Sequence, residues 1–376
     1  MKMYAGLDVG GKQTAICVMD EVGKIIWRGM ADTYPDVIAA RLKGFQEKLV
    51  KVGIESGPFT PHLHRSLVGL GFPMVCMDAR RAADAIKSRR IKSDRADAWA
   101  LAEMLRTGWF TAVHVKSAES HKIKTLLGAR DQLVRVKRSL GNQVRGLLRP
   151  FGVRLPSRAG MKKFAEAAHQ AVQADKLLRA GISALLEALA SIDAQIAKLD
   201  DELKALARRS EVAWRLMSAP SIGPITALAF IATIEDPHRF RRTRDIGAYL
   251  GLTEKRYQSA DTDVGLGISK QGDAMARHYL YEAANVLLTS VKKGSALRSW
   301  GLKLLKNIGP KRAWRWRGSS LCCLGACGKM ERISRQWRHR TASKHDQRLT
   351  FPPLRQKRAR TGRVSARHVG CRAICA

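Results

Sequence analysis

Met3-Tyr-Ala-Gly-Leu-Asp-Val9 reads as a short buried β-strand, and Gly10-Gly11-Lys12 turns the chain out of it. Thr14–Val18 and Ile25–Gly29 then flank Asp20-Glu-Val-Gly-Lys24, the signature of a hairpin. A helix is expected over Asp36–Val50, a second short strand over Val52–Glu55, a helix over Thr60–Gly69 and a strand over Pro73–Met77. Ser93–Thr107 completes the unit as a helix with Ala98, Leu101, Ala102 and Leu105 on one face. Three hairpin-linked strands followed by alternating helices and strands predict an α/β unit built on a mixed sheet, over residues 1–115.

Beyond residue 116 the pattern turns helical. Leu126, Leu133, Leu140 and Leu147 recur every seven residues, with Arg130, Arg135, Lys137, Arg138 and Arg145 between them. Leu189, Ile192, Ile196, Leu199, Leu203 and Leu206 alternate steps of three and four, a heptad seam. Such stripes serve either packing within one chain or a coiled coil between protomers. The basic residues either track a phosphate backbone or are solvated; the charge of the whole chain favours the first. Residues 116–210 are thus a helical, basic, coiled-coil region.

Residues 211–310 form a third, mostly α unit. Met217–Pro224 leads into the apolar run Ile225–Ile234 as a helix-hairpin-helix-like element, whose Gly223 turn can bring backbone amides close to a phosphate. Gly247–Gly251 and Gly265–Gly272 are small-residue segments before a last helix, Ala274–Ser290.

The chain has 376 residues and a net charge of +36. Its 45% hydrophobic content excludes wholesale disorder, and so large a positive excess in a soluble protein points to nucleic acid. The longest apolar run, near Ile225–Ile234, is too short to span a bilayer, and no signal peptide opens the chain, so a cytoplasmic protein without a membrane partner is expected. The charge is uneven: residues 311–376 carry 18 Lys and Arg against 2 Asp and Glu, leaving +20 for the other 310 residues. That tail also holds Cys322, Cys323, Cys327, Cys371 and Cys375. The spacings Cys323-x3-Cys327 and Cys371-x3-Cys375 are permitted for zinc with His339 or His345, but the two pairs stand far apart.

Four acids stand out by position. Asp8 lies on the first strand, Glu55 ends another, and Asp94 and Asp97 share one helical face. Carboxylates at strand ends suit hard divalent cations, and two such ions about 4 Å apart serve phosphoryl transfer. Singly, each has a structural reading: Asp94 as a helix cap, Asp97 in a pair with Arg95 or Arg90. Ser269, in Gly267-Ile-Ser-Lys-Gln-Gly272, is by its segment either a helix cap or an exposed nucleophile with Lys270 balancing phosphate charge.

With these residues the chain resembles the DEDD-type transposases of the insertion-sequence 110/1111 family, from about residue 3 to residue 313. The matching segments in the first half are Gly6-Leu-Asp-Val-Gly10, Gly53-Ile-Glu-Ser-Gly57 and Lys92-Ser-Asp-Arg-Ala-Asp-Ala98. In the second half they are Ala219-Pro-Ser-Ile-Gly-Pro224, Thr233-Ile-Glu-Asp-Pro-His-Arg-Phe240, Gly247-Ala-Tyr-Leu-Gly-Leu252 and Gly267–Asp273. The resemblance implies an RNase H-like (RuvC-like) N-terminal domain and a C-terminal transposase domain. It implies Asp8, Glu55, Asp94 and Asp97 as ligands for Mg²⁺ or Mn²⁺, and Ser269 as the residue that joins covalently to DNA. It further implies a guide RNA that pairs with the DNA partners, and a dimer or tetramer in which domains of different protomers meet, within a prokaryotic nucleoid. Ser221 stands where the family often has glycine, and Gly267 precedes Ile268 where the family often has arginine.

The resemblance stops at Gly309–Ala313. Codons can be chosen for Trp314–Ser320 and for Ala326–Ser334 that, read two bases in, both restore a family-like ending. The expectation is therefore a tail that is out of frame and disordered. Two other functions compete: an actin/sugar-kinase-like phosphotransferase, suggested by Asp8–Thr14 and the hairpin, and a catalytically inactive nucleic-acid-binding remnant.

Overall fold

Strand β1 (Met3–Val9) sorts its side chains by the two-residue period of an extended chain: Ala5 and Leu7 are fully buried on one face, while Gly6 and Asp8 belong to the other. It is the centre of a five-stranded sheet ordered β3-β2-β1-β4-β5, with β2 (Gln13–Asp20), β3 (Ile25–Asp32), β4 (Leu49–Glu55) and β5 (Met74–Met77). The β1–β2 and β2–β3 pairs are antiparallel, and β1–β4 and β4–β5 are parallel, which is the expected mixed sheet. The computed structural model describes residues 1–78, 93–157, 159–242, 245–259, 262–292 and 294–308. The basic cysteine-containing tail and the end of the family-like region at Gly309–Ala313 lie outside them.

One face of the sheet carries α1 (Pro35–Leu42) and α2 (Thr60–Gly69), whose Ile38, Leu42, Leu63 and Leu67 pack with Leu7, Ile16, Val18, Val52 and Ile54. The other carries α3 (Asp94–Thr107), whose Ala98 and Ala102 meet Ala15, Cys17 and Met19. Ser93 caps α3, its hydroxyl accepting from the Ala96 amide at 3.3 Å, and Gly108 ends it at φ 75°. The helix expected over Asp36–Val50 stops at Leu42; residues 43–48 tighten into 3₁₀ turns and β4 begins at Leu49. Gly44 in that stretch lowers helix propensity.

Helices α4 (Ala118–Leu148) and α6 (Lys176–Arg209) carry the two apolar stripes, and they pair with each other, antiparallel, inside the chain. Ile123 and Leu127 share a core with Leu203 and Ala207, and Val144 and Leu148 share one with Ile182, Leu186 and Leu189. The seam of α4 is therefore offset from its leucine repeat, and Leu147 is 45% exposed. Helix α5 (Met161–Ala171) closes the far end with Phe164 and Ala168.

Helices α7 (Glu211–Met217) and α8 (Pro224–Ile234) are joined by the turn over residues 218–223. Every residue of α8 from Thr226 to Ile234 is buried, against α4, α6, α7 and α10 (Ala274–Thr289). Between α9 (Asp245–Tyr249) and α10 the chain forms a hairpin of β6 (Glu254–Ser259) and β7 (Thr262–Ile268), and α11 (Ala296–Ile308) follows. The hairpin corrects the reading of 265–272 as a small-residue segment alone. Gly265 and Gly267 had hidden the two-residue period of Val264, Leu266 and Ile268.

Candidate active site

Two glycines bring helix α3 onto the sheet. A β-carbon on Gly6 would collide with the Ala98 carbonyl, and one on Gly53 would strike Met77 and Leu105. The resulting close approach places the first turn of α3 over the C-terminal ends of β1 and β4. In the parallel β1–β4 ladder Leu7 pairs with Ile54, so Asp8 and Glu55 are the next step on each strand. Both belong to the α3-facing side, by the same alternation that buries Leu7 and Ile54 on the other.

Glu55 is half-buried and feels Asp97 across this gap. Burial first, then the negative charges of Asp97 and Asp78, raise its carboxyl above the usual range. Asp78 follows β5 as Glu55 ends β4, and its amide donates to the Thr111 carbonyl at 3.0 Å. Asp78 is not among the four acids that the sequence singles out, although it stands at a strand end as Glu55 does. Asp94 is exposed, one turn before Asp97. Among the described residues no group of three His, Cys, Asp or Glu side chains is drawn into metal-holding geometry. The residues nonetheless fit a hard cation in chemistry: all are oxygen donors, and the repulsion that raises Glu55 is what a divalent cation relieves.

Ser269 sits directly after β7, half-buried, in a loop fastened on both sides. Its amide donates to the Thr253 carbonyl at 2.9 Å, and the Lys270 amide to the Gly251 carbonyl at 3.0 Å. The loop and the turn after α9 touch backbone to backbone. Gly251, at φ 68°, has no room for a β-carbon against Gln271, and Gly272, at φ 94°, has none against the Tyr249 carbonyl. Lys270 is exposed at φ 54°. The helix cap that Ser269 offered in sequence is supplied by Asp273, which accepts from the Ala276 amide at 2.9 Å. Ser269 is thereby relieved of the capping role.

The basic residues of α4 divide. Arg130 is paired with Asp200 at 2.5 Å and Lys137 with Asp193, both on α6, so these two bind the helical pair together. Arg135 is paired with Asp131 of its own helix and remains exposed, as does Arg138. Arg145 reaches the Pro156 carbonyl at 3.3 Å and lies over the Phe164 ring at 4.7 Å. At the α7–α8 turn Gly223 is extended, with open space where a β-carbon would stand. The left-handed residue of that turn is Ser221, at φ 70°.

A contact that the sequence did not disclose ties the last helical unit to α4. Glu235 ends α8 at φ 60°, an unusual conformation for a non-glycine residue. Its carboxylate accepts from His114 at 2.7 Å, from the Ser117 amide at 2.8 Å and from the Ser120 hydroxyl at 2.9 Å. Burial works to raise this carboxyl, but the hydrogen bonds outweigh it and hold it at about 2.

The two halves of this arrangement match known sequences in order. Residues 5–152 match the DEDD transposase family of IS110, and residues 213–298 match the Transposase IS116/IS110/IS902 family. The chain is 32% identical over 319 residues to the transposase for insertion sequence element IS1111A of Coxiella burnetii, covering 82% of this chain and 84% of that protein. It is 31% identical over 267 residues to a putative transposase of Sinorhizobium fredii, covering 69% of this chain and 67% of the relative. It is 28% identical over 251 residues to the transposase for insertion sequence element IS1328 of Yersinia enterocolitica, covering 66% and 74%. Thermus thermophilus RuvC, at 16% identity and a TM-score of 0.24, is aligned over 30% of this chain and 99% of its own. These matches along both halves make the chain a member of the IS116/IS110/IS902 family of transposases.

Proposed function

We propose that this transposase exchanges DNA strands of an insertion sequence through a covalent phosphoserine at Ser269, supported by a divalent cation, Mg²⁺ or Mn²⁺, at Asp8, Glu55, Asp94 and Asp97. The observation that supports the reading is the placement of half-buried Glu55 at the end of β4, near Asp97 in the first turn of α3 and Asp78 directly after β5. An arrangement that is costly alone becomes favourable once it takes a cation.

The chemistry follows from transesterification. The Ser269 oxygen forms a bond to phosphorus as the bond from phosphorus to one deoxyribose oxygen breaks, and the serine proton ends on that leaving oxygen, which becomes a hydroxyl. A second strand's hydroxyl then takes the phosphoryl group, and the serine is restored. One phosphodiester replaces another, so no nucleotide hydrolysis is required. The cation supplies charge stabilisation at the phosphate when bound. Lys270, exposed beside Ser269, is positioned to offset charge on the same phosphate. The two glycine contacts hold the loop still, so that little conformational freedom is lost on attack.

Base pairing with a guide RNA sets the sequence in this proposal, and the protein contributes charge and shape. The +20 carried by residues 1–310, with Arg135 and Arg138 exposed on α4, supports that division. The working assembly is a dimer or tetramer in which one protomer's acids meet another's Ser269, in the cytoplasm of a prokaryote. Among the described residues no helix is long and apolar enough to cross a membrane.

The test is the full chain incubated with its element's end DNA, its flanking noncoding RNA and Mg²⁺. Wild type yields a protein–DNA adduct resistant to denaturation, and Ser269→Ala yields none. Persistence of the adduct in the alanine variant removes Ser269 from the mechanism.

A further inference from the structure

Near the Ser269 loop, Lys124 is ion-paired with Asp273, Lys116 lies close to both, and Arg239 lies over Tyr249, whose carbonyl abuts Gly272. Lys124 of α4 is ion-paired with Asp273, the residue that caps α10 four positions after Ser269. Lys116, just before α4, lies in the field of Lys124, Asp273 and Arg239. Its backbone is fixed from the sheet side, where Arg65 donates to its carbonyl at 2.8 Å. Arg239 is held flat, 4.3 Å from the Phe240 ring centre and 4.3 Å from that of Tyr249. Tyr249 is the residue whose carbonyl abuts Gly272. The Arg239 Nε donates to the Ile234 carbonyl at 3.2 Å, while its Nη2 is buried with no hydrogen-bond partner among the described residues.

A buried guanidinium donor without an acceptor is costly, and two nearby ammonium groups repel each other. The carboxylate of Asp273 is already shared between Lys124 and the α10 amide. Burial, then the contact with Lys124, push Lys116 far below the ordinary lysine range, so the cluster holds more positive charge than its own carboxylate can balance. Glu235 does not balance it, being engaged by His114, Ser117 and Ser120. An oxyanion is the ligand this arrangement lacks. A tetrahedral, multiply accepting one satisfies several donors together.

We infer that Lys116, Lys124 and Arg239 form a seat for one phosphate group of a nucleic-acid backbone, beside the Ser269–Asp273 loop. The source of the phosphate rests on the proposed function; the seat does not. Its role is to fix the register of a strand passing Ser269.

The full chain serves for the test, with thermal unfolding followed against inorganic phosphate at constant ionic strength. The groups that face Lys116 are Lys124, Asp273, Arg239 and, around His121, Arg65 and Glu235, so the titration is run at pH 6 and pH 8.5. Wild type is stabilised by phosphate, more strongly at pH 6, where Lys116 is charged. Lys116→Gln weakens phosphate binding about tenfold, the loss of one charge-assisted contact, and is itself more stable than wild type without phosphate. Lys116→Arg keeps the response. With a single-stranded oligonucleotide, Lys116→Gln lowers the slope of log K against log salt by about 0.7, one phosphate contact. A wild type indifferent to phosphate overturns the seat, as does a Lys116→Gln protein less stable than wild type without the anion. A phosphate response lost without any change in the oligonucleotide slope overturns the nucleic-acid assignment. None of these measurements needs recombination, so failure of strand exchange is read separately.

Discussion

The Glu235 carboxylate lies 2.7 Å from His114 Nε2 and joins the end of α8 to the segment that leads into α4. One residue thereby couples the chain leaving the sheet to the core around α8. Glu235 holds its left-handed backbone while three neighbouring groups, His114 and the Ser117 and Ser120 donors, fix its side chain.

Glu235→Gln therefore costs about 1–3 kcal/mol at pH 7, the worth of charged hydrogen bonds partly replaced by neutral ones. The sign of the pH dependence is fixed by the carboxyl, held at about 2 in the fold against an ordinary 4.5. A depressed acid stabilises above its unfolded value, and that contribution fades as pH falls from about 4.5 towards 2. Urea unfolding of wild type and variant at pH 7 and pH 3.5 checks this. A gap that stays constant across that range contradicts it.

Asp97→Asn removes one of the two charges that raise Glu55. Without divalent cations the variant is about 0.5–1 kcal/mol more stable at pH 7, because a like-charge contact is gone. Mg²⁺-dependent strand cleavage falls at least about a hundredfold, since losing even an outer partner of a metal site costs 10–100-fold. Full cleavage with unchanged stability refutes the acid site.

Gly6→Ala forces a methyl group into the Ala98 carbonyl. Helix α3 must move off the sheet, and overpacking of this kind costs about 1–3 kcal/mol or more. Cleavage falls with it, because Asp97 moves away from Glu55. Thermal unfolding and cleavage assays on the same protein test the linkage. Full activity in a destabilised variant breaks it.

Ser221→Gly relieves the left-handed backbone at φ 70° in the α7–α8 turn. The gain is about 1 kcal/mol, offset in part by the extra freedom of glycine in the unfolded chain. A chemical denaturation curve reads it.

Most of the sheet was legible because a two-residue period and hairpin turns are local signals. β1, α2 and the helix capped by Ser93 stand where the sequence put them. The hairpin β6–β7 was not legible, because its glycines erase the pattern on which strand reading depends. The pairing of α4 with α6 was open for another reason. A heptad stripe states that a helix has an apolar seam and is silent on which chain supplies the partner.

The amino-acid order alone determined the candidate chemistry: acids at strand ends, a serine between glycines, and a basic body. Those are properties of residue type and spacing. Tertiary structure decided which of these groups meet. It added Asp78 beside Glu55, gave the α10 cap to Asp273 instead of Ser269, and spent Arg130 and Lys137 on α6. It also crowded Lys116 against Lys124 from positions far from Asp273 in sequence. The physical reason is that burial and charge act through space. A carboxylate or an amine reads the same in a sequence whatever faces it, and only the fold sets its dielectric surroundings and its neighbours.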